Sequence, residues 1–111
     1  MEKSIIFLVS SSPFATLNNY EALRTAMSLF DHKVSIIWES DGVFYPLNGS
    51  DKAKTQPFLR LMKDLNVSLV VDLDDLKKRG VALDEVIEGV ESFEHDRILD
   101  MLAMANVVIS F

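Results

Sequence analysis

LVVDLDDLKKRG, residues Leu69 to Gly80, reads as a buried strand that runs directly into a short helix. Val67 to Val71 is an almost wholly apolar run of strand length. The helix after it has acids at its start, bases at its end and Gly80 just beyond, so each end opposes the macrodipole. A strand without polar alternation that feeds a helix is the unit of a parallel sheet covered on both faces. Asp72, Asp74 and Asp75 crowd the junction, and the carboxyl end of such a strand is where α/β domains bind ligands. A metal or phosphotransfer site, a lost catalytic position, or a plain helix cap would each explain them.

The same alternation extends outward from this stretch. Upstream, Ser4 to Val9 is an apolar strand that ends in the loop Ser10-Ser11-Ser12-Pro13. Asn18, with Glu21 three residues on, approximates a capping box. Ala22, Leu23, Ala26, Met27 and Phe30 then form the stripe of a helix over about Asn19 to Leu29. Val34 to Trp38 is a second strand, and Asp41-Gly42 turns the chain into a helical turn at Val43 to Leu47. Asn48 to Thr55 is polar and reads as an exposed loop. Thr55 is placed to cap a helix with Pro57 in its first turn and Phe58, Leu61, Met62 and Leu65 inward; Asn66 is its left-handed stop. Downstream, the pattern predicts a short strand within Asp84 to Val90, a Ser92 cap, and a helix with Ile98, Leu99, Leu102 and Ala105 inward. A last buried strand is expected at Val107 to Phe111. The sum is an α/β fold, a single domain over residues 1–111, built as a three-layer α/β/α sandwich with a mostly parallel sheet of about five strands.

Composition narrows the function. The chain of 111 residues is 49% hydrophobic, rich enough for a core. No apolar run approaches the ~18 residues of a membrane span, and Ile5 to Val9 is too short for a signal-peptide core. The expectation is a cytoplasmic protein with no membrane partner. A net charge of −6 argues against direct nucleic-acid binding, which needs clustered cations. The one basic run, Lys77-Lys78-Arg79, is explained by a helix C-terminus. With no cysteine there is no disulfide, thiolate metal site, thiol nucleophile or persulfide carrier in these residues.

In a doubly wound sheet, Ser10 to Thr16, Glu39 to Asp41 and Asp72 to Asp75 gather at one end. The candidate ligand- or partner-binding residues are therefore Ser10, Ser11, Ser12, Trp38, Glu39, Asp41, Phe44, Tyr45, Asp72, Asp74 and Asp75. The serine loop has neither the glycines nor the lysine of a phosphate loop, and GxGxxG is absent. Asp72-Leu73-Asp74 matches the DxD of aspartate-based phosphotransferases, but on the third strand and with Asp75 and Leu76 where glycine and threonine are usual. A helix cap is the simpler reading. His32 and His95 lack a second histidine at ligand spacing, so a histidine-based metal site is not expected; the leading reading assigns no metal and no cofactor. Met101 and Met104 read as core filler.

Six segments taken in order carry a resemblance over nearly the whole chain. They are the strand and Ser/Pro loop Phe7 to Phe14, the helix Asn19 to Leu29, and the Asp-Gly-Val step at Asp41 to Val43. "LKKRG" at Leu76 to Gly80, "VIEGVES" at Val86 to Ser92 and "ANVVISF" at Ala105 to Phe111 complete the set. Their order and spacing resemble the DsrE/DsrF family of sulfur-relay proteins, nearest to the DsrF or TusC type. The resemblance implies an oligomer, of itself or with cysteine-bearing DsrE-like paralogues, in tRNA thiolation or sulfur oxidation. In carrier members a reactive cysteine lies eight residues before the glycine matching Gly80, a place held here by Asp72. On that comparison Asp72 is a lost carrier position, and the chain is a non-carrier subunit. The alternatives are a stand-alone small-ligand-binding module and, more distantly, a Mg²⁺-dependent DxD phosphotransferase.

Overall fold

The computed structural model describes residues 2–29, 31–52 and 55–111. Its elements run β1 (Ser4–Val9), α1 (Asn18–Met27), β2 (Lys33–Trp38), a 3-10 turn (Ser40–Phe44) and α2 (Gln56–Asp64). These are followed by β3 (Ser68–Asp72), α3 (Leu73–Lys78), a second 3-10 turn (Leu83–Glu85), β4 (Glu91–Phe93), α4 (His95–Met104) and β5 (Val107–Ser110). All five strands are parallel, in the order β4-β3-β2-β1-β5. The chain steps outward from β1 to β4, then crosses back through α4 to set β5 on the far side of β1.

That reversal divides the helices between the faces. Ile5, Phe7, Val9, Val34, Ile36, Trp38, Leu69 and Val71 pack with Ala22, Leu23 and Ala26 of α1 and with Leu59 and Met62 of α2. The alternate residues Ile6, Ile37 and Val70 pack with Ile98 of α4. Both faces of β1, β2 and β3 are covered, which is why their sequences lack polar alternation. Each fully buried aliphatic side chain here contributes about 1.5–3 kcal/mol.

Local signals set several boundaries. Asn66 ends the α2 segment at φ 59°, and Gly80 follows α3 at φ 67°, conformations open to Asn and Gly. Gly42 is required for a different reason: a Cβ there would lie 2.2 Å from the Val9 carbonyl oxygen. The first 3-10 turn therefore rests directly on the end of β1.

Other expectations are corrected. The strand predicted within Asp84 to Val90 lies later, at Glu91–Phe93; the earlier segment forms the second 3-10 turn and an isolated antiparallel bridge, Val86 to Leu47. Ser92 is thus in β4 and caps nothing. Asn18 opens α1 without capping it and donates from Nδ2 to Ser11 Oγ instead. Thr55 stands at the N-cap of α2, but its hydroxyl meets the Tyr45 hydroxyl and makes no cap. The inward face of α2 is Leu59 and Met62, whereas Leu61 and Leu65 are exposed. On α4, Ile98 is buried while Leu99 and Met104 face outward. The last strand is an edge paired only to β1, with Val107 and Val108 exposed. Phe30, Ala53 and Lys54 lie outside the described residues. Among those described, no helix is long and apolar enough to cross a membrane.

Candidate functional site

The carboxyl ends of β1 to β4 meet at one mouth. Alternation along β3 puts Val70 on the α4 face, and Asp72 two residues on shares that face. Asp72 is wholly buried. Its Oδ1 accepts the Asp75 N–H at 3.0 Å, capping α3. Its Oδ2 lies 2.8 Å from His95 Nδ1, in the first turn of α4. Asp74 Oδ2 accepts the His95 backbone N–H at 2.9 Å, serving a donor that Glu94, at the N-cap, leaves unserved by its side chain. Two aspartates thus grip one histidine, by ring and by main chain.

The hydrogen bond to Asp72 raises the His95 pKa above the ordinary histidine value; partial desolvation opposes this, and the charges of Asp72, Asp75 and Glu39 add to it. The imidazole side chain is 45% exposed, and among the described residues its Nε2 has no partner. An oriented imidazole with a free Nε2 can donate a proton or accept one.

The remaining carboxylates are engaged as well. Asp75 Oδ2 accepts the Ser40 N–H at 2.7 Å, where Ser40 sits at φ 50°. Glu39 accepts from Ser10 Oγ at 3.0 Å. Asp41 accepts from Arg79 Nε at 3.1 Å, and the same guanidinium reaches the Asp75 carbonyl and Ser40 Oγ, each at 3.3 Å. Arg79 therefore ties α3 to the first 3-10 turn. Glu39, Asp72 and Asp75 each offer an oxygen within 4.8 Å of the others, a donor set of the kind that holds a hard cation. In this structure each of those carboxylates already accepts from a protein donor.

Of the predicted site residues, Ser10, Glu39, Asp72, Asp74 and Asp75 come together, and Asp41 joins them through Arg79. Ser11 and Ser12 turn to their own loop, accepting from Asn18 Nδ2 at 2.9 Å and from the Phe14 N–H at 3.2 Å. Trp38 belongs to the core: it is wholly buried, donates from Nε1 to Asn19 Oδ1 at 2.8 Å and stacks on Tyr45. Tyr45 is also buried, and burial pushes its pKa up to about 12 against the opposing bond to Thr55. Phe44 lies against the exposed Phe14, beside a cavity of about 450 Å³ that runs to Asp84 and Glu85. Sequence reasoning missed His95 and Arg79. The signal for His95 was the alternation that assigns Asp72 to the face that receives the last helix; Arg79 was absorbed into a helix C-terminus.

The whole chain matches known proteins at the level of family and fold. Residues 3–111 match the model of the DsrE/DsrF-like family. The YchN protein from E. coli superposes with a TM-score of 0.84 at 22% identity, over 100% of both chains. MTH1491 from Methanobacterium thermoautotrophicum, a protein of unknown function, superposes with a TM-score of 0.74 at 15% identity, again over 100% of both chains. At these identities the two structures share the fold. A search of curated proteins gives no match.

Proposed function

The chain belongs to the DsrE/DsrF-like family, and from that premise we propose that it is a non-carrier subunit of a sulfur-relay type assembly. It acts by associating with itself or with cysteine-bearing paralogues, and by presenting the strand-end mouth to them. The observation that carries this reading is the state of Asp72. A carboxylate cannot carry a persulfide, and the 111 residues hold no cysteine. Asp72 is buried, caps α3 and fixes His95, so its place in the fold is structural. The same burial speaks against a phosphotransferase nucleophile, since a phosphoryl group needs access to a carboxylate oxygen.

Apolar surface supports association. Leu99, Met104, Val107 and Val108 are exposed along α4 and the open β5 edge, and Phe14 and Leu17 are exposed beside the mouth. Phe111, by contrast, stacks on Phe7. What the chain offers a partner at the mouth is the half-exposed His95 imidazole, surrounded by Asp75 and Glu39.

Light scattering on the pure chain, and on the chain co-expressed with a cysteine-bearing paralogue, tests the proposal. A multiple of the protomer mass, or a mixed complex, is expected. A protein that remains monomeric in both overturns it. Incubation with a labelled sulfur donor should leave this chain without label that a reducing agent removes.

A further inference from the structure

We infer that the cavity between α2 and the Ile87–Gly89 turn is a binding site for a small organic anion, a carboxylate or phosphate ester with an apolar body. The cavity holds about 230 Å³ and is lined by Lys52, Gln56, Leu59, Arg60, Lys63, Leu69, Ile87 and Glu88. It shares no residue with the strand-end mouth and lies toward the other end of β3. In a chain of net charge −6, its wall gathers three cations against one acid.

The cations are set out by the helix itself. Gln56, Arg60 and Lys63 fall at i, i+4 and i+7 of α2, one stripe along the side that faces the turn. Among the described residues neither Arg60 nor Lys63 makes a hydrogen bond or an ion pair. Lys63 is nonetheless positioned: its Cε lies 3.1 Å from where a Cβ on Gly89 would stand, and Gly89 has φ 92°. Glycine at that place lets the lysine stem lie flat against the turn. The third cation, Lys52, stands in the wall with its ammonium bonded to the Leu47 carbonyl and to the Ser50 hydroxyl and carbonyl. Burial lowers its pKa below the ordinary lysine value, with the charge of Asp51 acting the other way. An anion placed before it would offset that desolvation.

Beneath the cations the floor is apolar. Leu59 and Leu69 are buried and Ile87 is partly so. A ligand that is only charge leaves this floor wet, and one that is only apolar leaves the Lys63 ammonium and the Arg60 guanidinium without a counter-charge. An amphiphilic small anion satisfies both, with Arg60 matched to paired oxygens. Chain-wide negative charge disfavours polyanions such as nucleic acid.

Backbone NMR shift titrations of the full chain test this, with phenyl phosphate, hexanoate, inorganic phosphate and benzyl alcohol as separate probes. Phenyl phosphate and hexanoate are expected to give saturable shifts in α2 and residues 87–89. Inorganic phosphate and benzyl alcohol should bind at least about tenfold more weakly. The double variant Arg60→Glu with Lys63→Glu changes exposed side chains only, so its spectrum should show the same fold while binding falls about tenfold or more. Shifts that never saturate, shifts centred on the mouth, equal binding of benzyl alcohol or inorganic phosphate, or unchanged affinity in the double variant would each overturn the assignment.

Discussion

Asp72 and His95 stand 23 positions apart and meet as a hydrogen-bonded pair at 2.8 Å. One partner is wholly buried and the other has a 45% exposed side chain. The pair joins the end of β3 to the start of α4, so the ionisation of a surface group is coupled to the packing of two elements.

The first expectation concerns pH. Because the folded His95 pKa is raised, the bond contributes its full stability below the unfolded histidine value of about 6.5. That contribution is lost as pH rises through the folded value. Denaturant melts of wild type and His95→Gln should therefore differ most in mildly acidic buffer and converge in mildly alkaline buffer. An imidazole titration by NMR should place wild type above the ordinary value, and Asp72→Asn below wild type. A stability difference that grows with pH would contradict the assignment.

Asp72 should also behave as a cap. Asp72→Asn keeps an oxygen for the Asp75 N–H and is expected to be mild apart from the histidine effect. Asp72→Ala leaves that N–H without a partner, at a cost of roughly 0.5–2 kcal/mol. Urea midpoints of the two variants measure the difference, and equal midpoints would remove the capping role.

Gly42→Ala is predicted to be the most damaging single methyl addition near the mouth. Its Cβ meets a main-chain carbonyl oxygen at 2.2 Å, and a backbone atom cannot rotate away. The expected loss is about 3 kcal/mol, at the upper end for overpacking. Gly49→Ala, with open space around the new carbon, is the matched control and should be nearly neutral. Thermal melts of both, run together, decide it.

Alkali should open the opposite side of the sheet. Burial holds the Tyr45 pKa up to about 12, whereas an unfolded tyrosine ionises near 10. Stability is therefore complete below pH ~10 and falls as pH climbs toward the folded value. Tyrosinate absorbance should show a second phase, that of Tyr45, which rises only with loss of structure. Tyr45→Phe should remove the second phase. Ionisation of Tyr45 at about pH 10 with the fold intact would show that it is accessible.

How legible all this was depends on how many neighbours each segment has. β1, β2 and β3 are flanked on both sides and covered on both faces, so each wrote itself as a plain apolar run. β4 pairs on one side only and is three residues long, Glu91-Ser92-Phe93, too short and too polar to mark itself. The alternation upstream at Val86, Glu88 and Val90 imitated it. β5 failed in the opposite sense: its valines read as buried, but an edge leaves them open. On α2, Phe58 and Met62 of the expected stripe pack on the core, but Leu61 and Leu65 do not, because Leu59 fits the spacing equally well and takes the inward place. The mouth was legible where it rests on strand ends, as with Ser10, Glu39 and Asp72. It was not legible where it depends on strand order, because only a β3–β4 adjacency brings His95 to Asp72.

The carboxylate that serves the first turn of α4 belongs to α3, twenty-one positions earlier. Nothing local to α4 replaces it, since Glu94 makes no side-chain cap. Starting a helix is the costly step, and extending it is cheap. The starting point of the last helix is therefore held by a distant part of the chain, which predicts an order of assembly. During refolding, pulse-labelled hydrogen exchange should find the Asp75 N–H protected no later than that of His95. A fragment cut before β4 would keep every residue of α4 and lose the instruction for where it begins.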